Sequence, residues 1–255
     1  MKIATWNVNS LRVRLDHVRD WLTNAAPEIL GLQETKLTDD KFPVAEFEEA
    51  GYRSVFSGQP TYNGVALLSR EPATEIVTDL DGYEDPQRRV LGATIGGIRV
   101  LNLYVPNGQS VGSEKYDYKL GWLAALTTQL RSDLERYDQV VVMGDFNIAP
   151  ADEDVHDPAA WENKILCSPK ERDALKGLLN LGLTDVFRLF DQPEGSFSWW
   201  DYRAAGFRRN LGLRIDLILA SAKLASACTA SGIDKAPRRL ERPSDHTPVF
   251  SEFEP

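Results

Sequence analysis

Side-chain oxygens dominate the chemistry this sequence offers. Glu34, Asp145 and Asp245, with the amides Asn7, Asn9 and Asn147, form an oxygen-rich, sulfur-free set. Hard cations such as Mg²⁺, or Mn²⁺ as a substitute, prefer such ligands, and Mg²⁺ shares phosphate oxygens with its substrate. A dication on a phosphodiester polarises the phosphoryl group and steadies the leaving alkoxide. The three histidines, His17, His156 and His246, are scattered, which argues against a histidine-rich zinc site. In Asp245-His246 the imidazole can exchange protons or donate to a phosphate, and Asp216 is a candidate carboxylate to hold its tautomer. The acidic run around His156 reads as a solvated loop. Phe197-Ser198-Trp199-Trp200-Asp201-Tyr202 runs into a basic stretch that begins at Arg203. Aromatic faces beside cations suit an unstacked nucleotide and its phosphates, although one tryptophan and Phe197 also fit the core of a strand.

These groups need a scaffold that brings them together. Short β-type runs recur at Lys2–Trp6, Ile29–Gln33, Gly64–Ser69, Arg89–Ile95, Arg99–Tyr104, Val140–Met143, Arg214–Ala220 and Thr247–Glu252. Leu11, Leu15, Val18 and Leu22 mark one helix face, and Tyr116 to Leu134 another. A third helix is expected from Asp173 to Leu183, with Gly182 near its end. Many strands with few helices predict an α/β domain of two packed sheets flanked by helices. Polar residues follow several strands at their C-terminal ends: Asn7, Glu34, Tyr104, and Asp145 with Asn147. Strand ends at a sheet rim are where binding groups converge without disturbing the core.

Bulk properties narrow the class. The 255 residues, 42% hydrophobic and 26% charged, suit a globular protein read here as one domain over residues 1–255. No signal-peptide core opens the chain, and no apolar run approaches a membrane span, so a cytoplasmic monomer with no membrane partner is expected. Cys167 and Cys228 read as reduced residues, not a disulfide. The net charge of −9 alone argues against nucleic acid. Residues 203–242, however, hold nine Lys/Arg against three acids, a local +6 that leaves −15 elsewhere, and this predicts a basic face on an acidic protein.

Six segments appear in a telling order: Trp6-Asn7-Val8-Asn9-Ser10-Leu11-Arg12, Leu32-Gln33-Glu34-Thr35-Lys36, Leu103-Tyr104-Val105-Pro106-Asn107, Met143-Gly144-Asp145-Phe146-Asn147-Ile148-Ala149-Pro150, Leu211-Gly212-Leu213-Arg214-Ile215-Asp216 and Ser244-Asp245-His246-Thr247-Pro248. The chain thereby resembles the exonuclease III family of abasic-site endonucleases, within the endonuclease/exonuclease/phosphatase superfamily. The resemblance spans Asn7 to His246 and implies a four-layered α/β sandwich, two central mixed sheets flanked by helices, with the site at one rim. It implies Glu34 as principal metal ligand, with Asn7 beside it and Asp245 near. Asp145 would orient or deprotonate the attacking water, Asn147 would donate to the scissile phosphate, and Tyr104 would contact the phosphate or leaving group. Asp216 and His246 would steady phosphate charge. In a two-metal reading Asp145, Asn147 and His246 also become ligands.

The same resemblance places Asn9, Arg12, Lys36, Trp199, Trp200, Arg203, Asn210 and Leu213 on a DNA-binding surface, with Arg203 as a wedge beside the lesion. Asn9 stands where some relatives carry aspartate, and Leu213 where some carry a tryptophan lining the sugar pocket. The implied activity is Mg²⁺-dependent hydrolysis of duplex DNA 5′ to abasic sites, with trimming of blocked 3′ ends or 3′–5′ exonuclease action. The alternatives are a superfamily enzyme acting on RNA or phosphoinositide, and a non-catalytic DNA-binding module.

Overall fold

The computed structural model describes residues 1–254. Its first half runs β1 (Lys2–Asn7), α1 (Leu11–Ala25), β2 (Ile29–Gln33), α2 (Val44–Glu49), β3 (Arg53–Ser57), β4 (Val65–Ser69), β5 (Ala73–Val77), β6 (Val90–Ile95), β7 (Ile98–Tyr104) and α3 (Glu114–Arg136). The second continues through β8 (Val140–Asp145), α4 (Pro158–Trp161), α5 (Pro169–Leu179), β9 (Leu183–Asp185), β10 (Trp199–Trp200) and β11 (Gly212–Leu213). It closes with β12 (Asp216–Ser221), α6 (Ala222–Ser226), β13 (Cys228–Ile233) and β14 (Val249–Phe253).

Two six-stranded mixed sheets result, ordered β13-β14-β1-β2-β4-β3 and β5-β6-β7-β8-β12-β9. Each contains one parallel pair, β1/β2 or β7/β8, joined through a helix, and its other pairs are antiparallel. Strand periodicity sorts the side chains into layers. Ile3, Ile29, Val65, Val100, Val141, Met143 and Ile218 pack between the sheets. Ala4, Trp6, Leu30 and Leu32 face α1 residues Leu11, Val18 and Leu22. On the other side Leu101, Leu103, Val140, Val142 and Leu217 face α3 and α5 through Trp122, Leu126, Leu175 and Leu178. The four expected layers are therefore present.

The eight foreseen strands are the interior strands of the two sheets. Those missed in these two sheets, β3, β5, β9 and β13, are their four edges, and the short ribbon of β10 and β11 is also unforeseen. An edge strand has a weaker burial requirement, so its apolar pattern is weak; β5 shows one intermediate residue and four exposed. The third helix starts and ends earlier than expected. A reciprocal cap between Ser168 and Glu171, with Pro169 in its first turn, begins it at Pro169, and Leu183 already opens β9.

Two glycines let the layers approach. A Cβ on Gly31 would lie 2.8 Å from Asn102 Oδ1, in the polar layer where Gln33 Nε2 donates to Thr5 and Asn102. A Cβ on Gly144 would lie 1.9 Å from the Leu103 carbonyl, forcing β7 from β8 immediately before Asp145. Both cysteines are free, as expected. No helix among the described residues is long and apolar enough to cross a membrane.

Candidate active site

Strand parity explains why the polar groups meet. In β1 the odd residues face between the sheets, so Asn7 continues the row of Ile3 and Thr5. In β8 the row Val141, Met143 ends on Asp145; in β7 the row Val100, Asn102 ends on Tyr104. β12 runs antiparallel to β8 and starts where β8 ends, pairing Asp216 with Asp145. β14 does the same beside β1, which brings the preceding His246 to that rim. Six separated stretches thus deliver their polar residues to one edge of the inter-sheet layer.

The contacts form a continuous network. Asn7 Nδ2 donates to Glu34 Oε1 at 3.0 Å and to Asp145 Oδ2 at 2.9 Å, holding two like charges together. Its Oδ1 accepts from the Asn9 amide, so Asn7 meets the carboxylates with its NH₂. The Asn147 amide donates to Asp145 Oδ1 at 2.9 Å. His246 Nε2 lies 3.7 Å from Asp145 Oδ2, while Nδ1 lies 2.9 and 3.1 Å from the two Asp216 oxygens. Asp245 accepts from Asn9 Nδ2 and from Trp199 Nε1. Lys36 Nζ lies 2.9 Å from Glu34 Oε2 and donates to Asn9 Oδ1. Glu34, Lys36, Asn9 and Asn147 all take positive φ, between 43° and 54°, a left-handed backbone that side chains normally avoid and that tends to gather at functional sites.

Electrostatics divides the roles. Burial is the main reason the Asp145 carboxyl is pushed up, with Asp216 adding to it, while His246 pulls it back. Burial opposes charge on His246, but Asp216 and Asp145 outweigh it and raise the imidazole well above its usual value. Paired with these carboxylates, His246 favours the imidazolium form, which suits it to meet phosphate charge. Burial, then Glu34 and Asp145, raise the Tyr104 phenol, which keeps it a neutral O–H donor. Asp145, Asp216 and His246 each offer an atom within 4.8 Å of the others, a geometry compatible with a metal ion. Asp216 is committed to the imidazole, however, whereas Glu34 is a partly exposed carboxylate with its second oxygen beside the Lys36 ammonium. Carboxylate and amide oxygens without sulfur fit a hard dication.

Two clefts border the cluster, one at Lys36 and the other at Tyr104, and adjoin along the 59–63 loop. One of 710 Å³ is lined by Arg12, Lys36, Lys41, Thr61 and Arg242. The other, 680 Å³, is lined by Arg89, Tyr104, Asn107, Lys115 and Tyr118, with the Arg89 guanidinium 4.7 Å from the Tyr104 ring centre. Of these cations Arg242 belongs to the basic stretch read from the sequence, whereas Lys41, Arg89 and Lys115 carry no local signal, since no short pattern marks cations that meet only through folding.

Several expectations need correction. Two of the nine cations in residues 203–242 do not contribute to a basic face: Arg214 is buried against Asp154 and Asp185, and Arg238 is buried beside Trp200 and Phe207. Charge counted along a chain carries no information about which way each side chain points. Trp200 is fully buried, with Nε1 donating to Asn210 and Phe207 edge-on at 5.0 Å, so it is a core residue and presents no face to DNA. Leu213 is also fully buried, behind Trp199 among Ala149, Val155 and Ile215. Asn210 is spent on Trp200 and the Gly195 carbonyl. Arg12 and Arg203 are exposed, the latter paired with Asp201 at 2.9 Å. The acidic run before His156 is not simply a solvated loop, because Asp154 is buried under Arg214.

Glu34, Asp145 and His246 point into one region, as the metal-hydrolysis reading requires. The sequence matches the Endonuclease/Exonuclease/phosphatase family over residues 4–246. It is 37% identical to exodeoxyribonuclease III of Haemophilus influenzae, across 99% of this chain and 100% of that one. The fold superposes on the Neisseria 3′ phosphatase NExo, solved bound to a product DNA hairpin, with TM-score 0.98 and 49% identity, covering 100% of this chain and 99% of that one. It superposes equally fully on an AP endonuclease from Archaeoglobus fulgidus, with TM-score 0.96, 42% identity and 100% of both chains covered. Motif order, layered fold and rim geometry agree with these similarities: the chain belongs to the exonuclease III family of phosphodiester hydrolases, within the endonuclease/exonuclease/phosphatase superfamily.

Proposed function

We propose that this single catalytic domain is a metal-dependent DNA-repair phosphodiesterase that hydrolyses the backbone 5′ to abasic sites and trims blocked 3′ ends. The observation that carries this reading is the unbroken network from Glu34 through Asn7 and Asp145 to His246 and Asp216, bordered by two cation-lined clefts. Duplex DNA is the substrate class that suits cation-lined clefts beside one reacting phosphate. The relatives' names, exodeoxyribonuclease III, 3′ phosphatase and AP endonuclease, support testing both kinds of end product.

Water attacks phosphorus as the bond to the 3′ oxygen breaks, leaving a 3′-hydroxyl and a 5′-deoxyribose phosphate. Asp145, whose carboxyl is pushed up by burial, orients that water and takes its proton. The leaving alkoxide regains a proton from solvent or from the Tyr104 phenol, which burial and the Glu34 and Asp145 carboxylates keep neutral. The second N–H of Asn147, beyond the one given to Val105, and the His246 imidazolium meet charge growing on the phosphoryl oxygens. Glu34, with Asn7 and Asp245 beside it, would hold Mg²⁺, or Mn²⁺ in its place; when bound, that ion polarises the phosphoryl group and steadies the alkoxide.

The deciding experiment offers labelled abasic, 3′-phosphate, recessed and intact duplexes, with a phosphoinositide in parallel, each with Mg²⁺ and with EDTA. Incision of the abasic strand that EDTA abolishes is the expected result; turnover of phosphoinositide alone would overturn the assignment. Asp145→Asn should keep duplex binding and lose about a hundredfold or more in turnover.

A further inference from the structure

A buried ion pair lies beneath the site, and the reaction as described does not use it. Lys119 of α3 and Glu171 of α5 are both fully buried, 2.5 Å apart. The three ammonium protons have three acceptors: Glu171 Oε1, the Asn147 carbonyl at 2.7 Å and the Asn107 carbonyl at 3.2 Å. Glu171 is equally complete, accepting from the Leu166 and Ser168 amides and the Ser168 hydroxyl. Two of these partners, Asn107 and Asn147, belong to the rim loops after β7 and β8, and Leu166 and Ser168 belong to the segment leading into α5.

We propose that Lys119 and Glu171 are positioning residues, a buried clamp that holds the loop after β7 against the loop after β8 and so fixes Tyr104, Asp145 and Asn147 for attack. The proposal rests on the phosphodiesterase reading of the same site. The Asn147 side chain is already threaded between those loops, with Nδ2 donating to the Val105 carbonyl and Oδ1 accepting from Asn107 Nδ2. Asn147 sits at φ 48°, a left-handed turn that asparagine tolerates better than most residues. Lys119 takes the carbonyl of this same residue, so the ion pair grips the turn at its backbone. A water-filled or apolar substitute cannot present three donors in one fixed place. Neither side chain of the pair reaches the rim itself, so turnover should suffer far more than DNA affinity.

The test compares the full chain with Lys119→Met/Glu171→Gln, which removes both charges and avoids leaving one uncompensated. The control is Arg99→Met/Asp133→Asn, another buried ion pair with one member at the far end of α3 and none at the rim. Single-turnover cleavage of abasic duplex is measured well below each variant's unfolding transition. The clamp predicts a fall in kcat of about a hundredfold, as for a misplacement near 1 Å, with KM and duplex Kd within threefold. The control should keep kcat within threefold. Glu171→Gln alone should lose about tenfold, and it carries the test if the double variant does not fold. Unchanged kcat, a loss confined to KM, or an equal loss in the control overturns the clamp. A wild-type protein that cleaves no DNA overturns the functional reading instead.

Discussion

Asp216→Asn should slow cleavage by removing the charge on a different residue, His246. In the folded protein Nδ1 lies 2.9 and 3.1 Å from the two Asp216 oxygens, and Asp216 is fully buried. Opposite unit charges with centres about 4 Å apart attract by about 4 kcal/mol at an effective dielectric of 20. That is nearly a thousandfold in the protonation equilibrium. Burial already opposes charge on this imidazole, so without Asp216 it should be mostly neutral at pH 7.5. Losing a charged donor at the developing phosphoryl charge is costly, about 10²–10³ when a donor is removed outright, so the variant's rate should follow the fraction of His246 that remains protonated. The sign of the pH dependence follows. A histidine raised in the fold stays protonated in wild type from pH 6 to 9, whereas the variant's imidazole regains its proton only as pH falls. The ratio of variant to wild-type rate should therefore rise by about tenfold from pH 8 to pH 6, even though Asp145 makes both enzymes slower in acid. Stability should move in parallel: the pair stabilises the fold fully below the ordinary histidine value of about 6.5, and loses that contribution as pH rises through the higher folded value. Single-turnover nicking across that range, beside duplex Kd and thermal unfolding at each pH, makes the comparison. A flat rate ratio, or a variant within threefold of wild type at pH 7.5, would refute the assignment of His246 as an Asp216-held cation.

Three further outcomes are expected. Glu34→Ala should raise the Mg²⁺ concentration for half-maximal cleavage by about tenfold or more; an unchanged titration would place the cation elsewhere. Arg12→Ala, in the cleft beside Lys36, should lower the slope of log K against log salt by about 0.9 with kcat preserved, and an unaltered slope would take that cleft off the DNA path. Trp200→Ala should destabilise the fold by about 3–5 kcal/mol, near 10 °C in Tm, while folded protein binds duplex normally. Weakened binding at full stability would return Trp200 to the DNA surface.

What the linear order determined was the set of interior strands and the identity of the chemical groups. A strand with neighbours on both sides must be apolar on one face or both, so β1, β2, β4, β6, β7, β8, β12 and β14 announce themselves. The motifs at their ends named Asn7, Glu34, Tyr104, Asp145, Asn147, Asp216 and His246. Parity along each strand then decides which face a residue joins, and that too is written locally.

What only the tertiary structure decided is direction and company. The four edge strands carry little burial pattern and are defined by the neighbour they pair with. Trp200 and Leu213 belong to motifs that suggest a binding surface, yet packing turns them inward. Arg214 and Arg238 raise a local charge count but spend it inside, whereas Arg12, Lys36, Lys41 and Arg242 share a cleft although about two hundred residues separate the first three from the last. Lys119 reads as one cation on an amphipathic helix until the fold surrounds it with two carbonyls and a carboxylate. The physical reason is the range of the forces. Backbone periodicity acts over a few residues, whereas desolvation and charge pairing depend on neighbours that only the closed fold supplies.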